Sequence, residues 1–188
     1  MSLTLSTNTP TLPRSTDQGR IERGIERVSD AAAQCGDPGT RRAINDLLAE
    51  SQTRDFLAGI LGNSGFLTQC LAREIEFVSE IFEHGPDAAF RSVIDRLRTL
   101  GPATASKDID IALRRAKRQV ALLTALADLS GTWPLETVTG KLTTFCENAL
   151  SIASGQLLRG LHDRDILKLP NPDEPESGSG YFVLAMGK

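Results

Sequence analysis

The sequence predicts an all-α fold, an antiparallel helical array followed by a linker and one apolar run near the C-terminus. Three observations carry this. Apolar residues recur at steps of three and four along most of the chain, the period of one helix face. Only 5% of the 188 residues are aromatic, so the 40% that are hydrophobic must build a core of Leu, Ile, Val and Ala, which suits helices packed on helices. Glycine and proline clusters punctuate the pattern at helix-length intervals.

Residues 1–18, rich in Thr, Ser and Pro, carry no apolar period and read as a disordered tail. Ile21, Ile25, Val28, Ala32 and Cys35 then step 4, 3, 4, 3 and predict a first helix. Gly24 weakens it and Gly36-Asp37-Pro38-Gly39 ends it. Thr40 is placed to cap the next segment, whose apolar clusters are Ile44, Leu47 and Leu48, then Phe56, Leu57, Ile60 and Leu61. Gly62-Asn63-Ser64-Gly65 reads as a turn. Asn63 or Ser64 can cap the stripe that follows, Phe66, Leu67, Cys70, Leu71, Ile75, Val78 and Phe82. His84-Gly85-Pro86 stops that stripe, and a shorter helix restarts near Asp87 with Phe90, Val93, Ile94 and Leu97.

Gly101-Pro102 is the next break. Ser106 is positioned as an N-cap, with Asp108 and Asp110 in a first turn where the helix dipole favours negative charge. Ile109, Leu113, Ala116, Val120, Leu123 and Ala127 then step 4, 3, 4, 3, 4, and Leu122, Leu126 and Leu129 widen the stripe. Ser130-Gly131 closes this helix, and Pro134 suits the first turn of the last one. That helix is predicted to bury Leu135, Val138, Leu142, Phe145, Ala149 and Ile152 and to run past Gly155 to Leu161. Residues 170–180, PNPDEPESGSG, read as a linker. Tyr181 to Met186 is a continuous apolar run that reads as a strand. With no partner strand upstream it should be exposed or lie loosely on the helices, and the chain reads as cut there.

Composition excludes several function classes. A net charge of −3 and a pI near 5.5 lack the basic field of a dedicated nucleic-acid binder. Cys35, Cys70 and Cys146 are odd in number, widely spaced and outside any CxxC, which points to neither a disulfide framework nor a zinc site but to a reducing cytosol. The N-terminus lacks the basic and apolar regions of a secretory signal, and no stretch approaches the length of a membrane span. The reading is a cytoplasmic protein without nucleic-acid or membrane partners.

Motifs for chemistry are sparse. Gly187-Lys188 lacks the P-loop glycine five residues earlier, where Phe182 stands, and Val183 occupies the third glycine position of a dinucleotide fingerprint begun by Gly178 and Gly180. Arg114, Arg115, Lys117 and Arg118 form the densest positive patch. It reads as a solvated face opposite the apolar stripe, with phosphate contact or docking on an acidic surface of a larger protein as alternatives. His84 and His162 lack a Ser or Cys at recognisable spacing, and the pairs Asp108/Asp110 and Asp163/Asp165 read as helix-end acids. Trp133 reads as a packing anchor at a turn. No residue is assigned a catalytic, cofactor-binding or metal role.

Three stretches, in order over residues 40–188, resemble one family. Gly62-Asn63-Ser64-Gly65-Phe66-Leu67 resembles the helix-opening Gly-Asn-Ser-Pro-Phe-Leu segment of the glutamine synthetase adenylyltransferase/deadenylylase (glutamate–ammonia-ligase adenylyltransferase) family, with Gly65 at the usual proline. Leu113-Arg114-Arg115-Ala116-Lys117-Arg118 through Ala127-Asp128-Leu129-Ser130-Gly131 is similar to that family's helix ending in an Ala-Asp-Leu-x-Gly turn. The stretch from Gly178 to Lys188 looks like the entry strand of its first nucleotidyltransferase domain.

The resemblance implies an N-terminal fragment of an enzyme that attaches AMP to a glutamine synthetase tyrosine and removes it by phosphorolysis, in control of nitrogen assimilation. Together with the composition of the tail and linker, it divides the chain into four expected parts: a 1–18 tail, a 19–168 helical lead-in, a 169–180 linker and, at 181–188, the first strand of a truncated nucleotidyltransferase domain. The family's Gly-Gly and Asp-x-Asp elements, which approach phosphates and hold Mg²⁺, would lie beyond Lys188, so the chain alone is expected to be inactive. Mg²⁺ and ATP are implied for the full-length family and not for this chain, and glutamine synthetase and the PII signalling protein are the implied partners. The alternative reading is a self-contained helical protein-interaction module.

Overall fold

The computed structural model describes residue 15, residues 17–101 and residues 104–184. Residues 1–14 and 16 of the expected tail, and Pro102 of the expected break, lie outside the described residues. Eight helices follow one another: α1 (Gln18–Gln34), α2 (Pro38–Ala49), α3 (Ser51–Asn63), α4 (Gly65–Arg73), α5 (Ile75–His84), α6 (Pro86–Arg98), α7 (Ser106–Leu129) and α8 (Leu135–His162). Among the described residues there is no strand.

Short polar side chains set most of the boundaries. Asp17 accepts from the Arg20 N–H at 2.9 Å and opens α1. Asp37, not Thr40, caps α2: its carboxylate accepts from the N–H groups of Gly39 and Thr40, and Pro38 supplies a first helical residue that needs no donor. Thr40 lies inside the helix and gives its hydroxyl proton to Asp37 at 2.7 Å. Those three bonds hold the Asp37 carboxyl below its usual pKa range, the Thr40 hydroxyl first among them. The segment from 40 to 61 is two helices because Glu50 leaves helical geometry and caps α3, accepting the Thr53 N–H at 2.9 Å. Ser64 caps α4 through the Leu67 N–H at 3.2 Å. Gly85, at φ 81, turns the chain between α5 and Pro86, the first residue of α6, a conformation open to glycine and closed to most other residues.

Two expected caps are corrected. Ser106 is already the first residue of α7, and Ala105 before it offers no side-chain acceptor. Pro134 precedes α8 rather than sitting in its first turn. Both helices open without a side-chain cap, leaving Asp108 and Glu136 in their first turns to favour the dipole.

The core lies among α1 to α7, with Ile81 of α5 and Leu122, Leu123, Leu126 and Ala127 of α7 fully enclosed. α1 packs on α2, α3 and α4, α2 packs on α5, and α5, α6 and α7 pack in sequence. α8 rests on α6 and α7. It extends through Gly155 to His162, but Leu135 and Leu142, expected in the core, are 68% and 42% exposed. The physical reason is that α8 meets the bundle on one narrow side, through Val138, Phe145 and Ile152.

Residues 169–180 form turns and bends that return along α8. Leu169 and Pro175 are buried there, the latter in van der Waals reach of Gly155. The strand expected from Tyr181 is absent over residues 181–184, and residues 185–188 lie outside the described residues. Phe182 and Leu184 are 73% and 75% exposed, and Tyr181 touches α8 through a 3.2 Å hydrogen bond between its hydroxyl and that of Ser154. A lone extended segment has no neighbour to take up its backbone donors and acceptors.

Gly24 has a role the sequence period conceals. A Cβ there would stand 2.8 Å from Leu61 Cβ, so glycine permits the close approach of α1 and α3. Gly24→Ala, which favours an isolated helix by about 1 kcal/mol, is expected to lower stability of this chain by about 1–3 kcal/mol. Urea unfolding checks this: a higher midpoint for the variant would contradict the close approach.

Candidate functional site

The strongest polar constellation forms where α7 crosses the junction of α4 and α5. Glu74 sits between those helices at φ −113, ψ 40, with its side chain 2% exposed. A carboxylate taken from water this completely must be met by cations and donors. Its Oε1 accepts from Arg118 Nε at 2.9 Å, with Arg118 Nη2 also at 2.9 Å. Its Oε2 accepts from Gln119 Nε2 at 2.9 Å and Arg115 Nε at 3.3 Å. Gln119, itself buried, accepts through its own Oε1 from Arg96 Nη2 of α6 at 3.0 Å. Glu76 approaches Arg115 and Glu80 approaches Arg96, each at 3.8 Å.

The basic patch of the sequence therefore divides. Arg115 and Arg118 turn onto Glu74 of their own chain, whereas Arg114 and Lys117 are exposed. Glu74, which receives Arg115 and Arg118, lies inside the bundle. Three glutamates, Glu74, Glu76 and Glu80, answer three arginines here, Arg96, Arg115 and Arg118, and Arg73 stands exposed beside them.

A second constellation ties α8 to α6. Lys141 Nζ lies 2.8 Å from Asp87 Oδ1 and over the rings of Phe90 and Trp133, at 4.9 and 5.5 Å from their centroids. Trp133 is buried, meets Phe90 edge to face and donates its Nε1–H to Asp87 Oδ2 at 3.4 Å. The hydrogen bond and charge of Lys141, aided by Trp133, hold the Asp87 carboxyl below its ordinary range.

The other singled-out residues do not converge. His84 ends α5 with its side chain 63% exposed. His162 accepts the Leu169 N–H through Nδ1 at 3.2 Å, fastening the turn after α8. Asp108 and Asp110 are exposed at the start of α7, and Asp163 and Asp165 are exposed after α8. Neither pair is joined by a third acid, histidine or cysteine: among the described residues no group of three or more such side chains could hold a metal ion. Cys35 and Cys70 are buried and Cys146 is exposed. Burial pushes the Cys70 thiol up, which suppresses the reactive thiolate. A cleft of about 470 Å³ between α8 and residues 173–177 contains Arg159, whose Nε is buried without a partner, but Asp173, Glu174 and Glu176 around it oppose an anion. Among the described residues no helix is long and apolar enough to cross a membrane.

Glu74, Asp87 and Lys141 escaped the sequence reading. A signal for Glu74 was present: it falls in phase with Leu71, Ile75 and Val78, a charge on an apolar stripe, and Gln119 stands likewise beside Ala116, Val120 and Leu123. No comparable pattern marks Asp87 and Lys141, which are 54 residues apart and in ordinary helix positions.

The family model described as glutamate-ammonia ligase adenylyltransferase matches residues 55–188. A bifunctional glutamine synthetase adenylyltransferase/adenylyl-removing enzyme of Bradyrhizobium sp. strain BTAi1 is 35% identical over 168 residues, 89% of this chain and 17% of the relative. One of Bradyrhizobium diazoefficiens is 33% identical over 177 residues, 93% of this chain and 17% of the relative. One of Rhodopseudomonas palustris is 38% identical over 109 residues, 57% of this chain and 11% of the relative. The chain thus spans about a sixth of the length of the first of these relatives. No solved structure matches it.

Two outcomes are expected. Glu74→Gln, which leaves Arg115 and Arg118 without their anion, should cost about 2–4 kcal/mol in urea unfolding, whereas Arg114→Ala should change it by less than about 0.5 kcal/mol. Equal effects would remove the distinction between inward and outward arginines. Asp87, with a folded pKa below its unfolded one, adds stability above the unfolded value near about 3.9 that is lost as pH falls through the lower folded value. Urea midpoints between about pH 2 and 5 should therefore fall less steeply toward acid in Asp87→Asn than in the parent chain.

Proposed function

The chain belongs to the glutamate-ammonia ligase adenylyltransferase family, and from that premise we propose that it supplies a helical unit of an enzyme that adenylylates and deadenylylates glutamine synthetase. The observation that carries this is the family match over residues 55–188, the stretch that contains α4 to α8 entire. In this reading the full activity transfers AMP from ATP to a tyrosine of glutamine synthetase. Removal is by phosphorolysis: a phosphate oxygen bonds to the AMP phosphorus, the bond to the tyrosine oxygen breaks, and ADP leaves. The setting is cytoplasmic control of nitrogen assimilation, with the PII signalling protein as regulator.

Within that activity this chain positions and does not catalyse. Mg²⁺-assisted transfer between phosphates needs paired carboxylates converging on one ion with the nucleotide beside them. Asp108/Asp110 and Asp163/Asp165 do not fit, since each pair is exposed at a helix end with no further ligand joined to it. Glu74 does not fit either, because both of its oxygens are taken by Arg115, Arg118 and Gln119. No residue here is assigned to Mg²⁺ or ATP.

A second reading, a helical protein-interaction module, is favoured by one observation: α8 leaves leucines on its outer side. One assay tests the non-catalytic assignment. The purified chain, incubated with adenylylated glutamine synthetase, inorganic phosphate and Mg²⁺, is expected to release no ADP while glutamine synthetase remains adenylylated. ADP release would overturn the non-catalytic assignment, and a pull-down that recovers glutamine synthetase on the chain would support membership in the enzyme's working assembly.

A further inference from the structure

The outer side of α8 is an apolar surface of unusual length. Across its 28 residues α8 buries only Ser154, Gly155 and Leu158. Leu135, Leu142, Leu150 and Leu157 are 68%, 42%, 43% and 57% exposed, and Cys146 and Ala153 between them are exposed too. The leucines recur at steps of 7, 8 and 7, close to whole turns, so they form one stripe nearly parallel to the helix axis and about 33 Å long. Scattered exposed leucines need no explanation, but a contiguous row does. Toward its end the stripe opens into a groove of about 340 Å³ between α7 and α8, floored by Ile109, Leu113 and Leu157.

The charges along its border decide what fits. Glu136 and Glu147 are the exposed charged residues of α8. Eleven positions apart, they share one edge of the stripe. Glu176 extends that edge, its Oε2 accepting from the Ser151 hydroxyl at 3.3 Å. The cations of α8 are withdrawn from it: Lys141 is bound to Asp87 and 24% exposed, and Arg159 is partly buried in the cleft beside residues 173–177. Asp110 and Arg164 line the end of the groove, one charge of each sign, so the glutamates set the sign along the stripe; a second copy laid along it would set a further acidic row against this one, and anionic lipid headgroups would meet the same repulsion.

We propose that this face of α8 docks an amphipathic helix whose apolar stripe covers Leu142, Leu150 and Leu157 and whose flank sets lysine or arginine against Glu136, Glu147 and Glu176. The mode is helix-in-groove, with leucine anchors for affinity and the acidic edge for orientation. It goes beyond the family reading and stands independently of it.

The test uses the full chain and a peptide of about 18 residues built from Leu and Lys in helical pattern, with a counterpart in which Glu replaces Lys. The Lys peptide is expected to bind with Kd on the order of 10 μM by calorimetry and to slow alkylation of Cys146, which lies under the docked helix. Leu150→Lys and Glu147→Lys should each weaken it about tenfold, with helix content by circular dichroism unchanged because both side chains are exposed. Equal binding of the Lys and Glu peptides, binding indifferent to Leu150→Lys, or no binding would each overturn the proposal. So would dimerisation in sedimentation equilibrium that Leu150→Lys abolishes, since that would give the face to a second copy.

Discussion

The packing of the bundle turns on one desolvated carboxylate. Glu74 could not remain buried at the α4–α5 junction without Arg115, Arg118 and Gln119, which come from a helix 41 to 45 residues later. The desolvation penalty of such a group is several kcal/mol, repaid only by good geometry on both oxygens. Those contacts fix α7 in rotation and in register. Sliding it one turn would set Leu122 where Arg118 now meets the carboxylate, leaving an unpaired charge against hydrocarbon. Apolar packing alone would resist that slide weakly, since Val120, Leu123 and Ala127 could exchange places among similar neighbours. The ionic centre thus supplies specificity where the leucine-rich faces supply mostly area.

A different kind of tie holds α8. Its early turns are anchored by Lys141, which joins Asp87 and the faces of Phe90 and Trp133, so one cation bridges the α7–α8 turn to α6. Its later turns are overlaid by residues 169–181, with Pro175 against Gly155 and Tyr181 on Ser154. Between these two fastenings the helix is supported on one side only. Such an element draws less of its stability from burial than α5 or α7, and its local opening free energy should lie below theirs.

Helix existence was legible in the sequence because the period of 3.6 survives in every segment that meets the core. Boundaries were less so. The stripe from Phe66 to Phe82 runs unbroken through Glu74, because Leu71, Ile75 and Val78 keep phase across the backbone break at that residue. Likewise Glu50 divides the segment after Asp37 through a cap that resembles any other surface glutamate in sequence. Period could not tell which side of α8 meets the bundle: both Leu142 and Phe145 repeat helically, and only the placement of α6 and α7 leaves the first outside. The site suffered most, since Arg115 with Glu74 and Lys141 with Asp87 are pairings between distant helices, and no local pattern encodes those.

The distribution of satisfied and unsatisfied groups bears on the kind of work this chain can do. Transfer chemistry requires poised groups: a carboxylate or imidazole left open to a reactant, with its protonation tuned by its surroundings. Here the most buried charges are spent on each other, Glu74 on two arginines and Asp87 on Lys141, so their charge serves cohesion. The row of leucines on α8 is left open as well. Exposed leucine contributes nothing to moving a proton or a phosphoryl group, but it does gain free energy when water is removed from it by another surface. A helix that leaves a row of hydrocarbon outward is suited to be packed against. Among the described residues, the groups that could move a proton or a phosphoryl group are engaged at the two ionic centres, and the leucines of α8 are the surface left open to contact.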